Sequence, residues 1–216
     1  MRAKGIVWDL DGTLLDTLCD LTASVNAALA ACGMPPRTQE EVRRFVGNGA
    51  VKLMERAVPA GTDAAAEAAA LAAFRAHYAV HANDATKPYP GIPALLSRLA
   101  AAGVRMAIVS NKPDFAVRSL AETYFATLMT AAVGAREGVP TKPAPDLVLA
   151  AIREMGLTPA DCVYVGDSEV DVATAKAAGV AGIFVNWGYR GREFLLDHGA
   201  ETVVDTPEEM NEVILG

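Results

Sequence analysis

The chain has 216 residues, of which 52% are hydrophobic, and a formal net charge of −7. That length suits one sizeable domain or a core with a small insert, and the apolar fraction excludes a disordered chain. The acidic balance argues against a protein that grips a nucleic-acid backbone, which needs clustered Lys and Arg, yet a locally cationic site for a small anion remains compatible with it.

In chain order, Gly5 to Trp8 reads as a first strand, followed by Asp9-Leu10-Asp11-Gly12-Thr13. Carboxylates two residues apart point the same way in an extended chain, and Gly12 allows a sharp turn that brings amides toward an anion. A plain β-turn with solvated acids fits these residues equally well when they are taken alone. From Asp16 to about Asn83 the pattern is helical. Leu21, Val25, Ala28 and Leu29 recur at helical spacing until Gly33-Met34-Pro35-Pro36. Thr38 with Glu41 forms a capping-box pattern for a second helix that stops near Gly47-Asn48-Gly49. A third helix is expected from about Ala50 to Val58, and the alanine-rich run Ala64 to His81 reads as a fourth.

From Pro88 the rhythm alternates. Helices are expected over Gly91–Ala102, Asp114–Tyr124, Pro145–Met155, Val170–Ala178 and from Pro207. Strands are expected over Val104–Val109, Met129–Val133, Cys162–Val165, Ala181–Val185 and Thr202–Val204. Such alternation predicts an α/β fold with a doubly wound, Rossmann-like parallel sheet. The helical block is too long for a simple crossover and reads as an inserted cap. The expected division is residues 1–15 with 88–216 as the core and 16–87 as the cap, with hinges near Asp16 and Asn83 to Pro90.

Three further polar segments follow strand-like runs: Ser110-Asn111-Lys112, Lys142-Pro143-Ala144-Pro145 and Gly166-Asp167-Ser168-Glu169-Val170-Asp171. Taken singly, they read as helix caps and a surface lysine. In order and spacing, together with Asp9-Leu10-Asp11-Gly12-Thr13, they resemble the four motifs of the haloacid dehalogenase-like hydrolases, and the resemblance spans essentially the whole chain. It implies that Asp9 is a nucleophile forming an aspartyl-phosphate and that Asp11 is the general acid and base. Lys142 would offset the crowded negative charge. Mg²⁺ would be held by Asp9, the backbone carbonyl of Asp11 and Asp167, with Asp171 in support. Gly12, Thr13, Ser110 and Asn111 would bind the phosphoryl group, the last two at a helix N-terminus. Asp11 also argues against carbon–halogen hydrolysis, since the dehalogenases of this superfamily lack an aspartate there. Trp8 departs from the usual phenylalanine before the nucleophile.

The segment Arg44-Phe45-Val46-Gly47-Asn48-Gly49 resembles a Val-Gly-Asn-Gly segment of phosphoglycolate phosphatases, and the later Asn186-Trp187-Gly188-Tyr189 leans toward the same family. Gly47 and Asn48 are therefore expected to approach the substrate, and Arg43, Arg44 and Lys52 are further candidates for a substrate carboxylate. Lys112 is expected at the rim. His77, His81 and His198 lack zinc-ligand spacing with Cys19, Cys32 and Cys162, which read as reduced thiols. The expected activity is a Mg²⁺-dependent phosphatase acting on a small phosphorylated metabolite, with 2-phosphoglycolate foremost. Pyrophosphate, nucleotides and sugar phosphates are alternatives, as are a phosphomutase and a non-catalytic phosphometabolite-binding protein. With no signal-peptide pattern and no membrane-length apolar run, the chain is expected to be cytoplasmic, a monomer or homodimer, with neither nucleic acid nor membrane as partner.

Overall fold

The computed structural model describes residues 3–216. In chain order the elements are β1 (Gly5–Trp8), β2 (Leu15–Asp16), α1 (Leu18–Ala31), α2 (Gln39–Phe45), α3 (Gly49–Ala57), α4 (Ala64–His81), β3 (Lys87–Pro88), α5 (Ile92–Ala101), β4 (Arg105–Pro113), α6 (Asp114–Phe125), β5 (Ala131–Ala135), α7 (Asp146–Glu154), β6 (Cys162–Gly166), α8 (Glu169–Ala178), β7 (Ala181–Val185), α9 (Arg192–Asp197), β8 (Val203–Val204) and α10 (Pro207–Leu215). The chain separates into two compact units, Met1–Leu15 with Pro88–Gly216, and Asp16–Lys87. It passes between them on β2 and β3, which pair as a two-stranded ribbon.

The larger unit is built on a six-stranded sheet in the order β5-β4-β1-β6-β7-β8. Every adjacent pair among these strands is parallel. Period-two alternation sends Ile6, Trp8, Met106, Ile108, Val163 and Val165 to one face, where they pack with residues of α5, α6 and α10. Val7, Ala107, Val109 and Tyr164 take the other face, with residues of α7, α8 and α9. A sheet covered on both faces must be apolar on both, which is why β1 is buried along its whole length. After β5 the chain returns to the far side of β1 to form β6, so the strand order reverses between β1 and β6. In such sheets the crevice beyond the carboxyl ends at this reversal is where ligands bind.

The smaller unit comprises α1–α4. Leu21, Val25, Ala28 and Leu29 of α1 are buried, as are Ala70, Phe74 and Tyr78 of α4. Phe74 and Tyr78 stack at 5.3 Å. Thr38 and Glu41 form the reciprocal capping box at the start of α2, and Asp63 caps α4 through the Ala66 amide at 2.9 Å. Asp20 is buried in α1 and accepts from the Ala85 and Thr86 amides at 2.9 and 2.8 Å and from the Thr86 hydroxyl at 2.6 Å. Among the described residues no helix is long and apolar enough to cross a membrane.

Two local expectations change. The strand expected to end at Val109 runs on to Pro113, because Pro113 still pairs with Ala135 of β5 across a register shift. Ser110 and Asn111 therefore lie in a strand, and α6 starts at Asp114, so these two residues do not sit at a helix N-terminus as expected. The six-residue helix α9 was not foreseen, since Phe194, Leu195 and Leu196 are consecutive and carry no helical spacing.

Candidate active site

The Asp9 amide donates to the Val165 carbonyl at 2.8 Å, continuing the β1–β6 ladder one residue past the strand. Asp9 is thereby fixed at the strand-order reversal, beside Asp167, which follows β6 directly. Ser168 caps α8 and forms a capping box with Asp171, so the first turn of that helix swings Asp171 back over the strand end. Ligand oxygens of Asp9, Asp167 and Asp171 all lie within 4.8 Å of one another, and all three residues are buried. Close backbone approach makes this possible. Gly12 has a φ of +86°, and a Cβ on Gly12 or on Gly188 would collide with Asp167.

Lys142 is buried among these acids. Its Nζ lies 2.6 Å from Asp9 Oδ1, 2.8 Å from Asp171 Oδ1 and 2.9 Å from the Tyr164 hydroxyl. That hydroxyl in turn donates to Asp171 Oδ1 at 2.7 Å. Asp171 Oδ2 accepts from the Ser168 hydroxyl at 2.6 Å and from the Asp167 and Ser168 amides. With both oxygens so engaged, Asp171 is an anchor for Lys142. The lysine's own backbone is clamped by the Asn111 side chain, which donates to its carbonyl at 3.0 Å and accepts from its amide at 2.9 Å.

The electrostatics follow from this packing. Burial, reinforced by Asp171, pushes the Asp9 carboxyl up to about 7 even though Lys142 opposes it. Burial together with Asp171 and Asp9 raises the Asp167 carboxyl well above its ordinary range. Burial pushes Asp171 the same way, but Lys142, Ser168 and Tyr164 outweigh it and hold the carboxyl below its usual value. Burial works against the charge of Lys142, yet Asp171 and Asp9 keep its ammonium well above the ordinary lysine value. With all three ionised, one ammonium would leave two negative charges short of compensation, which is the imbalance that raises the Asp9 and Asp167 carboxyls. An all-oxygen donor set with that deficit fits a hard divalent cation.

Asp11 turns to a different cation, with its Oδ1 2.7 Å from Lys112 Nζ. Ser110 Oγ accepts from the Lys112 amide at 3.2 Å. Two phosphoryl-binding candidates have protein partners: the Gly12 amide donates to the Leu15 carbonyl at 2.9 Å, and the buried Thr13 hydroxyl to Asp167 Oδ1 at 3.3 Å. Gly47 and Asn48 lie in the smaller unit, between α2 and α3, where Asn48 Oδ1 accepts from Arg56 at 2.8 Å. In that unit Arg43 and Arg44 face Glu40, and Lys52 pairs with Glu55. Sequence reasoning missed Tyr164, whose only signal was a hydroxyl-bearing side chain in an otherwise apolar strand. The segment Asn186-Trp187-Gly188-Tyr189, read from the sequence only as a likeness to phosphoglycolate phosphatases and given no site role there, joins the cluster: Tyr189 N–H donates to Asp167 Oδ2 at 2.6 Å and the Trp187 indole to the Thr13 carbonyl at 3.1 Å.

A family profile for haloacid dehalogenase-like hydrolases matches residues 6–185. A phosphoglycolate phosphatase of Rhodospirillum rubrum is 39% identical over 210 residues, covering 94% of this chain and 87% of the relative. An N-acetylmuramic acid 6-phosphate phosphatase of Pseudomonas aeruginosa is 32% identical over 216 residues, covering 99% and 96%. A solved structure from Lactobacillus delbrueckii subsp. bulgaricus, named for phosphoglycolate phosphatase, superposes with a TM-score of 0.95 at 36% identity, covering 100% of each chain.

Proposed function

The chain belongs to the haloacid dehalogenase-like hydrolase family, and we propose that it is a Mg²⁺-dependent phosphatase of small phosphate monoesters that works through an aspartyl-phosphate. The observation that carries this reading is the Lys142 ammonium shared between Asp9 and Asp171 inside a carboxylate cluster. A phosphoryl group attacked by a carboxylate crowds negative charge, and a fixed ammonium at the nucleophile stabilises that charge as it builds.

In the proposed sequence, Asp9 attacks phosphorus with one carboxylate oxygen while the ester P–O bond breaks. Asp11 gives its proton to the departing oxygen, so the product leaves as an alcohol. Asp11, now a carboxylate, takes a proton from water as that water's oxygen attacks the phosphorus of the aspartyl-phosphate. The P–O bond to Asp9 breaks, inorganic phosphate leaves, and both aspartates return to their starting states. Asp9, Asp167 and the Asp11 carbonyl would hold Mg²⁺, with Asp171 in support, and the bound ion would supply further neutralisation of phosphoryl charge. Lys142 orients and neutralises, Asn111 holds Lys142 in place, and Ser110 is the strand-end hydroxyl available to a phosphoryl oxygen.

Residues 16–87 would act as the cap that selects substrate, with Gly47 and Asn48 as its contact turn. The named relatives favour 2-phosphoglycolate. The muramic acid phosphate relative, which matches almost the entire chain, supports a sugar 6-phosphate as the second reading.

Phosphate release from 2-phosphoglycolate, hexose 6-phosphates, pyrophosphate and nucleoside monophosphates, with Mg²⁺ and with chelator, tests the reading. Mg²⁺-dependent release is expected from wild type and background release from Asp9→Asn, with an unchanged circular dichroism spectrum. Near-normal turnover in Asp9→Asn would remove Asp9 as nucleophile. Absence of release from any ester by folded wild type would favour the binding-protein alternative.

A further inference from the structure

The site contains a second buried ammonium that the chemistry above leaves unused. The Lys112 side chain is 2% exposed, and its Nζ lies 2.7 Å from Oδ1 of Asp11, itself 13% exposed. Lysines are seldom buried this fully unless paired, and desolvating one is costly without a well-placed counter-ion. The sheet makes the pair. β1 and β4 are adjacent and parallel, with Trp8 opposite Ile108. Asp11 stands three residues beyond Trp8 and Lys112 four beyond Ile108, so both emerge at the same carboxyl-end rim. The Lys112 amide is fixed on Ser110 Oγ at 3.2 Å, which anchors the base of the side chain.

The two lysines serve different acids. Lys142 reaches Asp9, Asp171 and Tyr164, whereas Lys112 reaches Asp11. We propose that Lys112 is a positioning residue for proton transfer: it holds the Asp11 carboxyl at the leaving-group oxygen and has no part in stabilising the phosphoryl group. The inference rests on the reading of Asp11 as general acid. Asp11 follows the strand instead of lying in it, and a carboxyl on a turn has rotamers that aim away from the ester. An ammonium on Oδ1 restricts that choice and assigns to Oδ2 the proton for the leaving oxygen.

The consequence is a dependence on leaving group. An alkyl phosphate such as 2-phosphoglycolate expels a poor leaving group and needs the proton, whereas p-nitrophenyl phosphate releases a stable phenolate and does not. The parameter to compare is kcat/KM, which covers the steps up to leaving-group loss. Lys112→Met keeps the apolar stem and removes the cation. It should lower kcat/KM for the alkyl ester at least about tenfold, a part of the about 10²–10⁴-fold that a general acid contributes. The aryl ester should change by less than about threefold. Lys112→Gln, which retains a hydrogen-bond donor, should fall between and serves if the Met variant does not fold.

Asp11→Asn separates the two levels of the argument. If Asp11→Asn spares neither ester preferentially, Asp11 is not the general acid and the underlying reading fails. If Asp11→Asn discriminates and Lys112→Met does not, the positioning role fails while the reading stands. Equal losses on both esters with a lowered melting temperature would make Lys112 merely structural and overturn the inference. In the Asp11→Asn background, the added Lys112→Met should cost the alkyl ester nothing further. An additional loss there would also count against it.

Discussion

Replacing Lys142 by methionine tests the electrostatic logic of the site directly, because it removes the cation and keeps much of the volume. The Lys142, Asp9 and Asp171 side chains are 3%, 8% and 1% exposed, so water cannot replace the ammonium cheaply. Breaking a buried ion pair from one side costs about 3–5 kcal/mol, a large share of the roughly 5–15 kcal/mol that holds a domain together. In chelator at pH 7.5 the variant should therefore lose about 3–5 kcal/mol in urea unfolding at unchanged m-value. The loss should shrink as pH falls, because protonation relieves an orphaned carboxylate by about 1.4 kcal/mol per pH unit and group. Adding Asp171→Asn should recover part of it, since the second change removes one of the stranded charges. A loss below about 1 kcal/mol, or no recovery in the double variant, would show that the three groups are not coupled as the distances imply.

Two further outcomes follow from buried carboxylates. Asp9 is raised from 3.8 to about 7, chiefly by burial, so the folded protein keeps a proton between those values that the unfolded chain has given up. Its contribution to stability therefore falls as pH rises from 3.8 to about 7 and stays at its lowest above that. A cation at this carboxylate must displace its proton, and Asp167, raised likewise, adds a second, so Mg²⁺ affinity measured by calorimetry should rise by at least about tenfold per pH unit up to about pH 7. Affinity that does not change between about pH 5.5 and 8 would refute this. In the smaller unit, Asp20→Ala strands the amides of Ala85 and Thr86. Hydrogen bonds to a charged group contribute about 1.5–3 kcal/mol each, so urea unfolding should show a loss of about 3 kcal/mol; less than about 0.5 kcal/mol would discard Asp20 as the anchor of that segment.

What could be read from the sequence was what local physics fixes. The span Gly5–Trp8, the alanine-rich helix Ala64–His81 and the Thr38–Glu41 capping box depend on periodicity, propensity and contacts within one turn, all visible in a short window. The doubly wound parallel sheet followed from the alternation of those windows. What could not be read depends on register between strands far apart in the chain. Lys112 meets Asp11 across 101 residues, and Tyr164 meets Lys142 across 22. The continuation of β4 through Ser110 and Asn111 needs the β5 partner, which no window around Val109 contains. The same holds for Asp20, an ordinary first-turn helix acid until Thr86 returns to it.

The site also explains why so many acids share one sheet edge. β1, β4 and β6 end side by side, and each delivers polar residues to the same crevice: Asp9 and Asp11 after β1, Ser110 to Lys112 at the end of β4, and Asp167 with Asp171 after β6. Four carboxylates and two lysines meet there, and each lysine is committed to different acids, Lys142 to Asp9 and Asp171, Lys112 to Asp11. With every carboxylate ionised, two negative charges remain, in a place where burial makes like charges expensive. A protein that only needed a stable core would replace such a cluster with apolar side chains at no loss. Keeping it makes physical sense if the deficit is the binding energy for a dication. On the proposed function, a doubly charged phosphate ester would be repelled by the bare cluster and accepted once that deficit is filled. The same surplus of acid that raises the Asp9 carboxyl would thus tie substrate binding to the metal.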